Sequence, residues 1–216
     1  MIKNEFIKRF FSSAILIPIT LFIIIEGSFL FIFFILISLM LATYEWLKMS
    51  KSDIQKILGL FFLIISFYTI FKIRNDFNND YFHILFVAIV CVSTDVGGYI
   101  FGKLFKGPKL TKLSPNKTYT GVIGSFLIPI IITYLFFELS LNIHNFEFTK
   151  KTLVFVLMIS LVSQIGDIII SFFKRLSKIK DTGNIIPGHG GILDRIDGMI
   201  FAYPFSYLVF LNWNFQ

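Results

Sequence analysis

Cysteine and charge are both scarce in this chain, and each shortage excludes something. A single cysteine, Cys91, occurs in 216 residues, so no disulfide and no thiolate metal site can be built from it. Charged residues make up 15% of the sequence, well short of the roughly 25% of a soluble domain. The three histidines form no zinc set, because His83 is expected near the face opposite His189 and His144 in an outer loop. No internal repeat or low-complexity linker is visible, which argues for one membrane domain over residues 1–216. The basic residues form no module apart from the apolar runs. The net charge of +7 is therefore not a sign of nucleic-acid binding.

What is present is apolar length. Hydrophobic residues make up 56% of the chain, with 29 phenylalanines and 8 tyrosines that read as lipid-facing bulk and interface anchors. Several runs approach or exceed the ~18–20 residues needed to cross a bilayer. About seven spans are expected, near 10–26, 28–47, 57–72, 81–102, 119–141, 152–171 and 196–212. The chain reads as an all-α polytopic membrane protein, with Pro18 and Pro129 tolerated inside spans. The first run follows Lys3, Lys8 and Arg9 like a signal peptide, yet its small residues Ser12, Ser13 and Ala14 sit at the wrong end for cleavage. It reads as an uncleaved first helix.

Charge sets the expected orientation. With the N-terminus inside, every Lys and Arg except Lys72, Arg74, Lys150 and Lys151 falls on the cytoplasmic side, and seven spans leave the C-terminus outside. Two cytoplasmic connections stand apart. Residues 102–118 carry five lysines with Gly107-Pro108 and Ser114-Pro115-Asn116. Residues 172–195 are long for a connection in a compact bundle, and long loops tend to be functional. One site built from both is the economical expectation.

Asp95 and Asp167 lie toward the cytoplasmic ends of spans four and six, where a carboxylate needs a cation, a hydrogen-bond partner or water. Gln164, Asp167, Ser171 and Lys174 fall at i, i+3, i+7 and i+10, one polar stripe of a helix. Asp194 and Asp197 are at i, i+3 and share a face. If spans six and seven are antiparallel neighbours, Asp167 can approach that pair. Three carboxylates without cysteines suit a hard cation such as Mg²⁺, which is held by one or two carboxylates plus substrate phosphates. Lys174, Arg175, Lys180 and Arg195 would complement phosphate oxygens, and Gly188, Gly190 and Gly191 would let backbone amides approach an anion. His189 stands as a general acid/base, a phosphate donor or a plain loop residue. The combination implies Mg²⁺-dependent chemistry on a polyphosphate.

The run Ser171, Lys174-Arg175, Lys180-Asp181, Gly183, Pro187, His189-Gly190-Gly191, Asp194-Arg195-Ile196-Asp197 resembles the signature of the phosphatidate cytidylyltransferases, or CDP-diacylglycerol synthases. Asp95 through Gly102, Ser114 through Gly121, and Gln164-Ile165-Gly166-Asp167 are similar to further blocks of that family, so the likeness covers about residues 93–204. Two positions depart from it. Tyr119-Thr120 stands where the family usually has Trp followed by Glu or Gln, and Ile170 where a Glu often precedes the signature serine.

The resemblance implies transfer of CMP from CTP to phosphatidic acid, with release of pyrophosphate. It implies Asp167, Lys174, Arg175, Asp194, Arg195 and His189 as catalytic residues, and Asp167, Asp194 and Asp197 as holders of Mg²⁺, the identity of any second cation being open. Asp95, Ser114, Lys117, Thr118, Ser171, Lys180, Asp181, Gly190 and Gly191 would contact substrate. It also implies a bacterial inner-membrane enzyme with its active site in the cytoplasm, and a homodimer. A CTP-using enzyme with another lipid acceptor would look the same. A transporter would spread its acids through the membrane and often show related halves, and neither is seen here.

Overall fold

The computed structural model describes residues 2–77, 80–109, 117–144, 147–186, 188 and 190–212, with the side chains of 2–10 and 140–144 set aside. It contains eight helices among these residues and no strand. They are α1 (Ile2–Glu26), α2 (Ser28–Met49), α3 (Asp53–Asp76), α4 (Phe82–Phe105), α5 (Tyr119–His144), α6 (Lys150–Leu176), α7 (Leu193–Ile196) and α8 (Met199–Asn212). Five of them, α2 to α6, are long and apolar enough to cross a membrane, and shorter apolar helices cover Phe11–Glu26 and Met199–Asn212. The seven apolar runs of the sequence thus all become helix. The protein is an all-α integral membrane protein.

The chain divides into two compact units, one of Met1–Tyr81 with Phe172–Asp197 and another of Phe82–Ser171 with Gly198–Gln216. In the first, α1 and α2 reverse at Gly27, whose φ of 69° is a left-handed conformation that glycine adopts without strain. A Cβ there would strike the Arg74 guanidinium, which donates to the Ile25 carbonyl at 3.2 Å and lies 5.5 Å from the Phe31 ring centre. Ser52 then opens α3 with a reciprocal cap. Its hydroxyl accepts from Gln55 N at 3.3 Å, while Gln55 Oε1 accepts from Ser52 N at 3.4 Å. Trp46 donates its indole N–H to the Gln55 carbonyl at 3.0 Å and packs edge-on to Phe173, 5.1 Å away. These contacts fix the end of α2 against α3 and against the last turns of α6.

The second unit is built on the pairing of α4 with α5. Gly97 and Gly98 on α4 face Gly121 and Gly124 on α5 so closely that a Cβ on Gly121 would come within 2.8 Å of the Gly98 carbonyl. Small residues let membrane helices approach to backbone contact, where packing replaces the hydrophobic drive that lipid does not supply. Phe82, Phe86, Phe137, Phe155 and Phe210 fill the core, with ring centres 5.3 Å apart for Phe82–Phe137 and for Phe155–Phe210. Part of the phenylalanine surplus is therefore core, while Phe11, Phe22, Phe29, Phe33 and Phe61 stay exposed as a lipid-facing surface requires.

Candidate active site

The signature stretch begins inside a helix. The sequence placed the end of span six near residue 171, but α6 runs on to Leu176, so Lys174 and Arg175 lie in its last turn. Lys178, at φ 57°, ends it. Lys178 N donates to the Arg175 carbonyl and Ile179 N to the Lys174 carbonyl, both at 3.0 Å, which is the pattern of a Schellman stop with lysine in the left-handed position. Arg175 also donates from Nη1 to the Ile179 carbonyl at 3.2 Å. Ser177 Oγ donates to the Met49 carbonyl, which ties this stop to the end of α2.

Beyond it the loop folds around two carboxylates. Asp194 Oδ1 accepts from Lys174 Nζ at 2.9 Å, and Oδ2 accepts from Thr182 N at 2.8 Å and Gly191 N at 3.0 Å. Lys174 Nζ stands 3.7 Å from Asp197 Oδ2 as well, so Asp194 and Asp197 converge on one cation. The Asp194 side chain is 3% exposed. Burial by itself would raise its carboxyl. The Lys174 hydrogen bond, the Gly191 amide, the Lys174 charge and the Thr182 amide outweigh that and hold it below the usual carboxylate value. The glycines at this turn are needed for space and conformation. Gly190 has φ 91°, and a Cβ on it would stand 2.8 Å from Asp194 Oδ2.

The second carboxylate belongs to Glu45, on the last turns of α2. Glu45 is 1% exposed. Its Oε2 accepts from Thr182 Oγ1 and from Leu193 N, each at 2.8 Å, and its Oε1 accepts from Ile192 N at 2.9 Å. Sequence reading passed over Glu45. The signal was available, because an acid inside an apolar run of this kind is as costly there as at Asp95 or Asp167.

In the second unit, Asp167 pairs with Lys117 at 2.5 Å and accepts from Ser171 Oγ at 3.2 Å. The second sequence block and the polar stripe of α6 do meet here. Thr118 caps α5, its hydroxyl accepting from Gly121 N at 3.1 Å. Thr120, at the family's Glu or Gln position, accepts from Gly107 N at 3.3 Å and lies 3.1 Å from the Thr118 hydroxyl, so it holds the turn after α4. Ile170, at the other departure, is buried core.

Among the remaining expected residues, Asp95 is exposed on α4, and Lys180, Asp181 and Arg195 are exposed in the first unit. Ser114, Pro187 and His189 lie outside the described residues. No group of three or more His, Cys, Asp and Glu stands together as a ready metal site among the described residues. Two carboxylates that already share a cation form a hard-oxygen donor set. That fits Mg²⁺, which keeps several waters and takes other ligands from substrate phosphate.

The comparisons with known proteins agree on one family. The profile described as the cytidylyltransferase family matches residues 52–213. A phosphatidate cytidylyltransferase of Rickettsia conorii is 34% identical over 216 residues, covering 96% of this chain and 92% of its own length. That of Rickettsia bellii is 33% identical, covering 96% and 91%. That of Bacillus subtilis is 33% identical over 176 residues, covering 79% of this chain and 64% of the relative.

Proposed function

The chain belongs to the cytidylyltransferase family, and from that premise we propose how its residues serve the reaction. It is a membrane-embedded phosphatidate cytidylyltransferase that makes CDP-diacylglycerol and pyrophosphate from CTP and phosphatidate. A phosphate oxygen of phosphatidate forms a bond to the α-phosphorus of CTP. The bond from that phosphorus to the bridging oxygen breaks, and pyrophosphate leaves. The attacking phosphate is already an anion near neutral pH, so no strong base is required. Rate comes from positioning and charge neutralisation.

Asp194 and Asp197 would hold Mg²⁺, with Asp167 proposed as a further carboxylate for it on chemical grounds. When bound, the metal neutralises triphosphate charge. Lys174, Arg175 and Arg195 serve the phosphates and the leaving pyrophosphate, the arginines through bidentate contacts. Lys117, Thr118, Lys180, Asp181, Asp95, Ser114, Gly190 and Gly191 are assigned to substrate, and His189 to the catalytic loop as a hydrogen-bond donor to phosphate or an acid/base. Ser171 borders the path of the lipid headgroup, whose acyl chains stay in the bilayer. The convergence of Asp194 and Asp197 on Lys174 carries this assignment, because it gathers the signature's acids around one cation.

The distribution of basic residues supports a cytoplasmic N-terminus and cytoplasmic catalytic loops. A cysteine introduced at exposed Lys178 should therefore label in inverted vesicles and not in right-side-out ones. A homodimer belongs to the same proposal, checked by the mass of the detergent-solubilised protein. The central test is pyrophosphate release from purified protein with CTP, phosphatidate and Mg²⁺. Release should need all three and vanish in Asp194→Asn. Equal activity in that variant would sink the metal assignment, and turnover of a different lipid acceptor alone would change the substrate.

A further inference from the structure

We infer that Glu45 is a positioning residue for the catalytic loop, acting from the transmembrane helix α2 through Thr182, Ile192 and Leu193. This rests on the reading of the chain as a cytidylyltransferase that uses Asp194 to hold a divalent cation. Nothing in the signature itself supplies this carboxylate. It comes from a position 137 residues before Thr182 and 148 before Leu193.

Three donors converge on the two Glu45 oxygens, and two of them are backbone amides that can only donate. Ile192 and Leu193 stand at the start of α7, where N–H groups have no partner within the helix. No side chain of α7 or its cap residue satisfies them, and Glu45 does. The amide just before this pair, Gly191 N, is one of the two that orient Asp194. Thr182 gives its hydroxyl to Glu45 and its N–H to Asp194. Gly191 gives its N–H to Asp194, while the next two amides go to Glu45. The two carboxylates thus hold neighbouring donors of one loop, and a shift of either displaces the other's partners.

Sterics support the same conclusion. A Cβ on Gly183 would stand 2.7 Å from Glu45 Oε1, and one on Gly191 would collide with Thr182 Oγ1 and both Glu45 oxygens. The loop closes onto a carboxylate of this length. Trp46, Ser50 and Ser177 lock the helix end that carries it, through Gln55, Trp46 and Met49 carbonyls respectively. Carboxylates that orient a catalytic or metal-binding group in this way typically matter about 10–100-fold to affinity or activity when lost.

Glu45→Gln keeps size and turns one acceptor into a donor facing donors. In the detergent-solubilised full chain it should remain folded, while kcat falls about 10–100-fold and the Mg²⁺ concentration for half-maximal rate rises about tenfold. KM for phosphatidate should stay at the wild-type value, and Glu45→Asp should recover part of kcat. Amide exchange at Ile192 and Leu193 should quicken in Glu45→Gln whether or not substrate is present. Should Glu45→Gln fail to fold, Thr182→Val, which removes one donor and leaves the carboxylate, should show a smaller shift of Mg²⁺ dependence in the same direction. Unchanged Mg²⁺ dependence and kcat per folded molecule in the variant that folds would overturn the inference. If the wild type releases no pyrophosphate, the reaction assignment fails on its own. Unaltered exchange at Ile192 and Leu193 would then overturn the positioning role separately.

Discussion

Asp194 and Asp167 carry the same charge and each faces a lysine, yet they are held in opposite ways. Asp194 is 3% exposed, meets Lys174 and accepts two backbone amides of its own loop. Asp167 is 25% exposed, stands on a continuous helix, and meets Lys117 and one serine hydroxyl. The first carboxylate is part of what folds the loop, so its chemistry and its local structure cannot be separated. The second is borrowed from a helix that would form without it, because α6 draws its stability from apolar contacts along its length. Buried, hydrogen-bonded ion pairs lose far more when broken than partly exposed ones, since the abandoned charge stays in low dielectric.

The comparison can be broken most sharply at the two aspartates. Asp194→Asn should lose at least about 10³-fold in turnover, the scale of a lost charge-stabilising group. It should also lose about 3–5 kcal/mol of stability, the scale for removing one partner of a buried pair. Asp167→Asn should lower turnover but shift stability by only about 0–1 kcal/mol. Melting of both variants in detergent decides it, and an equal shift in the two would erase the distinction drawn here.

The lysines sharpen it at the next level. Lys174→Met should abolish most activity and destabilise the loop, measured as faster proteolysis within 177–192. Lys117→Met should weaken substrate use with little change in that cleavage. Salt should divide them further. The Lys117–Asp167 contribution should fade between low and high ionic strength, whereas the less exposed Lys174 pair should hold. A double-mutant cycle at each pair measures both terms.

The smallest expected effect is one of pH. The Asp194 carboxyl is held below its ordinary value, so its contribution to stability is fully present above about pH 4, the unfolded value, and is lost as pH falls through the depressed folded one. Melting temperature of the wild type should therefore drop more steeply below about pH 4 than that of Asp194→Asn, which has no such carboxyl to protonate. Parallel curves for the two proteins would remove Asp194 from the acid limb.

Much of this was legible in the sequence because its signals are local. Apolar runs of bilayer length have one solution in lipid, a helix that satisfies its own backbone, so the seven helices could be read, although among the described residues the first and last apolar helices are shorter than the five that are long enough to cross. The stripe from Gln164 to Lys174 was readable because helical periodicity is local, although where α6 stops depended on Lys178 taking a left-handed turn. At the Tyr119-Thr120 departure the family's Glu or Gln is replaced by a threonine, and the structure gives Thr120 a local contact at Gly107. Gly97, Gly98 and Gly121 fall within the family-like blocks, while the reason for glycine there, backbone contact between two helices, is a property of the pair.

The sequence by itself determined that this chain is a helical membrane protein, which family it belongs to, and which acids and bases its signature carries. Only the tertiary structure decided who holds whom: that Lys174 joins Asp194 to Asp197, that Lys117 finds Asp167, and that Glu45 seats the loop at Thr182, Ile192 and Leu193. The physical reason is range. Periodicity and motif spacing report what lies within a few turns of one element, whereas a buried carboxylate is satisfied by whichever donors the folded chain brings to it, however far away in sequence they began.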